Sequence, residues 1–145
     1  MIPDAQRRQI KELLDDMVGD VHLVLFTQSF GCETCGDTKR ILDALVEISP
    51  RLSLDEKNLV IDKDDAAAYG ITHAPTILVL GKGADGATVD HGIRLVGAPF
   101  GYEFTSLMDA ILIVSKSAPQ LSESSLAKLA HVTTPMQVQV FTTPT

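Results

Sequence analysis

The chain has 145 residues, 45% hydrophobic and 21% charged, with a formal net charge of -7 and a pI near 4.9. That length suits one domain with its own core, and the acidic balance excludes nucleic acid and anionic membrane surfaces as natural partners, since both select clustered Lys and Arg. No apolar run nears the roughly 20 residues that cross a bilayer, and "PDAQRRQIKELLDDM" lacks an apolar signal core, so a cytoplasmic protein acting on small molecules or other proteins is expected.

Along the chain, Ile10, Leu13, Leu14, Met17 and Val18 recur at i, i+3, i+4, i+7 and i+8, which predicts an amphipathic helix ended by Gly19. "VHLVLF", residues 21–26, is apolar on both faces, the pattern of a central strand covered on either side. It leads into "SFGCETCGDTKR", which holds both cysteines, Cys32 and Cys35. Ile41, Leu42, Leu45, Val46 and Ile48 keep helical spacing up to Pro50, so Cys32 is expected at or just before the first turn of a second helix. A short strand over 52–56 and a brief helix ending at Gly70 follow. Residues 76–80 then read as a strand that "GKGADG" turns back into a second one over 92–96, a hairpin. Phe104, Leu107, Met108, Ile111 and Leu112 mark a last long helix. The order αβαβαββα gives an α/β fold, with helices on both faces of one mixed central sheet.

The remainder differs in kind. "SKSAPQ" reads as a linker, 121–132 as a polar helix, and "MQVQVF" alternates like a strand of a sheet that the chain does not otherwise contain. Such a strand needs a partner edge, in its own chain or in a second copy, so a homodimer through this C-terminal strand is one expectation.

The cysteine pair carries the chemistry. In a reducing compartment a lone structural disulfide is disfavoured, and two thiols separated by two residues bind metal or cycle between oxidation states. A helix N-terminus favours the thiolate at Cys32, the nucleophile of disulfide exchange, while Cys35, three residues on and on the same face, is placed to resolve the mixed disulfide. Glu33 acts against this. A carboxylate about 6 Å away at a dielectric of about 60 costs the thiolate roughly 0.9 kcal/mol, against about 0.3 to 1 kcal/mol from the helix end. Zinc takes four ligands, and His22, His73, His91 and His131 are scattered without ligand spacing; a metal-binding half-site shared between molecules stays open as an alternative. Lys39 and Arg40 read as a solvated helix face, Phe30 and Tyr69 as packing residues.

In "YGITHAPTILVL", Pro75 opens a strand 40 residues after Cys35 and follows Ala74. With the element order and the Cys-x-x-Cys at a strand-to-helix junction, this stretch resembles the thioredoxin family. The resemblance implies a thioredoxin-like fold with a cis Pro75 facing the disulfide, where the backbone of Ala74 pairs with bound peptide. "RLVGAPFGYEF" and above all "VQVFTTPT" are similar to the glutaredoxin-like protein disulfide oxidoreductases built from two tandem thioredoxin-like units. On that resemblance residues 1–117 form a first unit, and 118–145 a linker helix and the first strand of an incomplete second unit. The implied activity is exchange of protein disulfides through catalytic Cys32 and Cys35, with a thioredoxin reductase-like electron donor, no organic cofactor and no metal. "CETC" departs from the family by placing Glu33 and Thr34 between the cysteines; with His73 they are the candidate tuning residues. The competing expectation is a non-catalytic substrate-binding or structural module.

Overall fold

The computed structural model describes residues 3–143, and its architecture follows from the strand that feeds two cores at once. Strand β1 (Val21–Thr27) sends Val21, Leu23 and Leu25 to one side of the sheet and Val24 and Phe26 to the other. On the first side they meet Ile10 and Leu14 of α1 (Asp4–Leu14), Leu42 and Leu45 of α2 (Cys35–Ile48), and Leu107, Met108 and Ile111 of α4 (Tyr102–Lys116). On the second, Val24 and Phe26 pack with Ala66 of α3 (Lys63–Tyr69), Ile71 and the partly buried Tyr69. Successive strand side chains point to opposite faces, so an unbroken apolar run is what a strand with two covered faces requires. Each leucine so buried is worth roughly 1.5–3 kcal/mol of transfer free energy.

The sheet order is β2-β1-β3-β4. Strand β2 (Leu52–Asn58) lies parallel to β1, reached through α2, while β3 (Thr76–Lys82) runs antiparallel to β1 and to β4 (Thr88–Val96). The α/β class, the mixed sheet, the covered faces and the hairpin are as the sequence predicts. Helix α3 ends at Gly70, whose φ of +69° is the left-handed cap that a glycine adopts without strain.

Three differences have physical causes. Helix α1 stops at Leu14 rather than Gly19, because the backbone N–H of Val18 donates to the buried Ser115 Oγ (2.7 Å) and that of Gly19 to the Ser115 carbonyl (2.9 Å). These bonds turn the chain into β1 and leave Leu13 and Val18 exposed. A Cβ on Gly19 would sit 2.9 Å from the Ser115 carbonyl oxygen, so the contact needs glycine. Strand β4 begins at Thr88 rather than near residue 92, since as an edge strand with an exposed first half it tolerates the polar residues that hide it in sequence. Finally, residues 136–141 form no strand within this chain: α5 (Glu123–Leu129) has no buried residue, and Val138, Val140 and Phe141 are 79%, 82% and 90% exposed. A strand exists only as part of a ladder, and no edge here is paired with it.

Candidate functional site

The loop that leaves β1 and the loop that enters β3 emerge at one end of the sheet, because Phe26 lies opposite Thr76 in the antiparallel register. The first loop carries the cysteines, joined as a Cys32–Cys35 disulfide with their Cα atoms 5.5 Å apart. Helix α2 starts at Cys35 itself, with Thr34 as its N-cap. Cys32 therefore precedes the helix, and the pair is closed by a turn rather than by a shared helix face as the spacing suggested. The two sulfurs differ in access: Cys35 is 6% exposed and belongs to the buried set, while Cys32 is only half-buried.

Hydrogen bonds hold this turn from both sides. The Thr34 carbonyl accepts from the Thr38 N–H (2.9 Å) and from the fully buried Thr38 hydroxyl (2.8 Å). Before the cysteines, the Gln28 side-chain amide donates to the Phe30 carbonyl, and Gly31 takes a φ of +73°. Glu33 is exposed and Thr34 half-buried. Phe30, expected to pack, is 86% exposed beside the disulfide; the tight turn at Gly31 faces it to solvent. Tyr69 does pack, edge-on to Phe26 with ring centroids 6.4 Å apart and with the Arg94 guanidinium 5.7 Å from its ring centre.

On the β3 side the Ala74–Pro75 peptide bond is cis. Ala74 is half-buried and Pro75 buried. The Pro75 carbonyl accepts from the Gly97 N–H (2.8 Å) and the His73 carbonyl from the Thr76 hydroxyl (2.7 Å), which ties this loop to β4 and to the start of β3. His73 is exposed, its Nδ1 2.8 Å from the Thr72 hydroxyl.

On the β2 side lies a cleft of about 410 Å³ that sequence reasoning missed. Cys35, Gly36 and Lys39 of α2 line it together with Thr27, Gln28 and Ser29, and with Glu56, Lys57, Asn58 and Asp62. His73, Ala74 and Pro75 do not line it. Lys39 lies on a partly exposed helix face, as expected, and its ammonium meets Asp43 one turn along at 2.7 Å and Glu56 of β2 at 3.9 Å. The hydrogen bond from the Lys39 ammonium to the Asp43 carboxylate raises the lysine pKa above its usual value, against the opposing effect of burial. Lys57 is raised likewise by its hydrogen bond to Asp65. Arg40 pairs with Asp37 on the exposed helix surface. The cleft is charge-balanced, and Glu56, Lys57, Asn58 and Asp62 reach it beside Cys35 only through the tertiary fold. Among the described residues no cluster of three or more His, Cys, Asp or Glu is arranged to hold a metal ion, and no helix is long and apolar enough to cross a membrane.

Element order, sheet topology and the Cys32–Cys35 disulfide together define a thioredoxin-like α/β fold that carries a Cys-x-x-Cys disulfide. Among solved structures the chain is similar to a protein disulfide oxidoreductase from Aeropyrum pernix K1, with a TM-score of 0.76 and 26% identity, over 90% of this chain and 55% of that one. It also shares its fold with the NTD_N/C domain of alkylhydroperoxide reductase AhpF from Enterococcus faecalis, with a TM-score of 0.75 at 22% identity, over 89% of this chain and 60% of that one. In sequence it is 32% identical over 127 residues to the F subunit of alkyl hydroperoxide reductase from Staphylococcus aureus, which covers 87% of this chain and 21% of that protein. The same protein from Staphylococcus epidermidis is 29% identical over 136 residues, 93% of this chain and 23% of its own length. The chain thus spans about a fifth of the length of the curated relatives it matches. No family model matches it.

Proposed function

We propose that this protein is a thiol–disulfide oxidoreductase that exchanges the disulfides of other proteins through Cys32 and Cys35. In the reduced form the Cys32 thiolate attacks a substrate sulfur, forming a Cys32–substrate disulfide and releasing the other substrate sulfur as a thiolate that takes a proton. The Cys35 sulfur, having lost its proton, then attacks Cys32. The mixed disulfide breaks, the second substrate thiol leaves, and the Cys32–Cys35 disulfide remains; two electrons pass to the substrate. A thioredoxin reductase-like donor returns them. The observation that carries this reading is the asymmetry of the pair, one sulfur half-buried ahead of the helix and its neighbour buried at the helix start, since the attacking sulfur must be reached and the resolving one must be shielded.

In this reading Ala74 and Pro75 shape the peptide-binding loop, and Glu33, Thr34 and His73 tune the couple. The protein works in the cytoplasm, where reductant is available. The names of the relatives favour a more particular setting, in which the partner disulfide belongs to a hydroperoxide-reducing system. In this reading residues 118–132 serve as a linker with a short helix, and the alternating segment 136–141 pairs as a strand only against a partner, through which two copies associate. The test is reduction of insulin disulfides with dithiothreitol as electron source. Wild type should accelerate it and Cys32→Ser should abolish the acceleration. A Cys32→Ser variant as active as wild type contradicts the exchange reading and leaves a binding module.

A further inference from the structure

The loop that carries Cys32, residues 28–33, is held from outside at one point. Among the described residues a single hydrogen bond reaches it from another element: the Asn58 side-chain amide donates to the Ser29 hydroxyl at 3.1 Å. The bond from the Gln28 amide to the Phe30 carbonyl lies within the loop. Asn58 closes β2, is half-buried, and is itself firmly held. Its Oδ1 accepts from the Val60 and Ile61 N–H groups (2.9 and 3.1 Å), its backbone N–H donates to the Asp62 carboxylate (2.6 Å), and its carbonyl accepts from the Asp62 N–H (2.8 Å). With the amide oxygen facing two donors, Nδ2 is the end that turns to Ser29.

We infer that Asn58 is a positioning residue for the Cys32–Cys35 couple: through Ser29 it tethers the loop that carries Cys32, and the tether favours closure of the disulfide. This deepens the exchange reading and rests on it. Without the bond, the last fixed point before Cys32 is Thr27, five residues back, where β1 ends against Asn58 and Leu59. With it, the fixed point is Ser29, three residues back. Cys35 needs no such help, being buried at the start of α2 beside the turn that Thr38 secures. Once the pair is reduced, Cys32 has whatever freedom its loop allows, and closing the ring removes that freedom at an entropic cost. The covalent bond already confines the loop in the disulfide form, so the tether restricts the dithiol form more. It thereby raises the effective concentration of one sulfur at the other. In exchange with glutathione, the dithiol protein and one oxidised glutathione give the disulfide protein and two reduced glutathiones. The tether acts in the second half of that exchange, where the Cys35 sulfur attacks Cys32 and glutathione leaves as its thiol. Ser29 itself is exposed, and its hydroxyl has no other protein partner among the described residues, so the bond adds little to the fold.

The test equilibrates the full chain with glutathione buffers of stepped ratio, quenches with acid, and reads the disulfide fraction by alkylation and mass spectrometry. Ser29→Ala should lower the equilibrium constant for disulfide formation roughly two- to fivefold, the span of a solvent-exposed hydrogen bond; threefold is about 14 mV for a two-electron couple. Ser29→Thr, which keeps the hydroxyl, should hold the wild-type constant. Asn58→Ala also removes the turn contacts to Val60 and Ile61 and should unfold at lower urea, whereas Ser29→Ala should unfold at the wild-type urea concentration. The two changes combined should shift the glutathione constant no further than Asn58→Ala alone. A wild-type constant in Ser29→Ala, an equal shift in Ser29→Thr, or a combined shift equal to the product of the two single ones overturns the tether. A lower urea midpoint in Ser29→Ala replaces the positioning role with a structural one and overturns it too. Insulin reduction is read separately: an inert wild type with the glutathione shift intact removes the exchange of protein disulfides and keeps the tether, and an active wild type without the shift removes the tether alone.

Discussion

Two stretches of this chain read almost alike and fare oppositely: "VHLVLF" at residues 21–26 and "MQVQVF" at 136–141. The first is flanked by β2 and β3 in the sheet and faces helices on both sides, and five of its six residues are buried. The second has the same valines and a terminal phenylalanine, and its apolar side chains stand in water. What separates them is partners rather than composition. A strand takes its stability from the ladder and the faces that neighbours supply, so β-rich alternation states a capacity and topology decides whether it is met.

The sharpest way to break this comparison is to truncate equivalent residues in the two stretches. Phe26→Ala should cost about 3–5 kcal/mol in urea unfolding, the usual cost of a large cavity in a packed core. Phe141→Ala should change the unfolding free energy of the monomer by less than about 0.5 kcal/mol, the range of surface substitutions. Equal costs would mean that the tail belongs to the first core. A second measurement sharpens the boundary: removing residues 134–145 should leave the thermal midpoint and the disulfide exchange of the monomer largely as they are, and a chain that unfolds or loses exchange would move the tail into the unit.

Smaller effects come from the polar surface of the folded unit. Asp90 pairs with Arg94 at 2.7 Å, and that hydrogen bond lowers the pKa of its carboxyl below the usual carboxylate value. A depressed folded-state pKa gives stability that is present above the unfolded-state value and lost as pH falls through the folded-state value. Asp90→Asn should therefore destabilise the protein at neutral pH by less than about 1 kcal/mol, as for other partly exposed pairs. The gap to wild type should close on acidification, and a gap that persists at low pH would show that packing rather than charge is lost. The smallest effect concerns Glu33. Its exchange for Gln removes a negative charge beside the thiolate, so alkylation of reduced Cys32 should reach half its maximal rate at a slightly lower pH. An unchanged or higher pH would remove Glu33 from the tuning residues.

Much of this was legible in the sequence, for reasons that vary with the element. The run 21–26, the stripe of α4 and the turn at Gly70 were readable because both covered faces and the cap leave patterns within a few residues. Pro75 was singled out beside Ala74 by the resemblance of its neighbourhood rather than by periodicity. The end of α1 was not legible, because it is set by Ser115, about 100 residues away in the chain. The start of α2 was legible, with Cys32 just ahead of it as expected, but the shared helix face was not: the spacing of Cys32 and Cys35 is equally compatible with a helical turn and with the non-helical turn that Thr38 secures through the Thr34 carbonyl. Lys39 and Glu56 come together only when α2 lies against β2, and Phe30 looked like packing because the turn at Gly31 that exposes it has no signature in side-chain pattern.

The central claim is that Cys32 attacks and Cys35 resolves, and trapping tests it most directly. Reduced Cys35→Ser and Cys32→Ser proteins are mixed with a disulfide-bonded protein substrate, quenched with acid, and the adducts mapped by mass spectrometry. The account predicts a covalent adduct at Cys32 that accumulates in Cys35→Ser, with little or none at Cys35 in Cys32→Ser. Adducts forming faster on Cys35, or on neither cysteine, would contradict it.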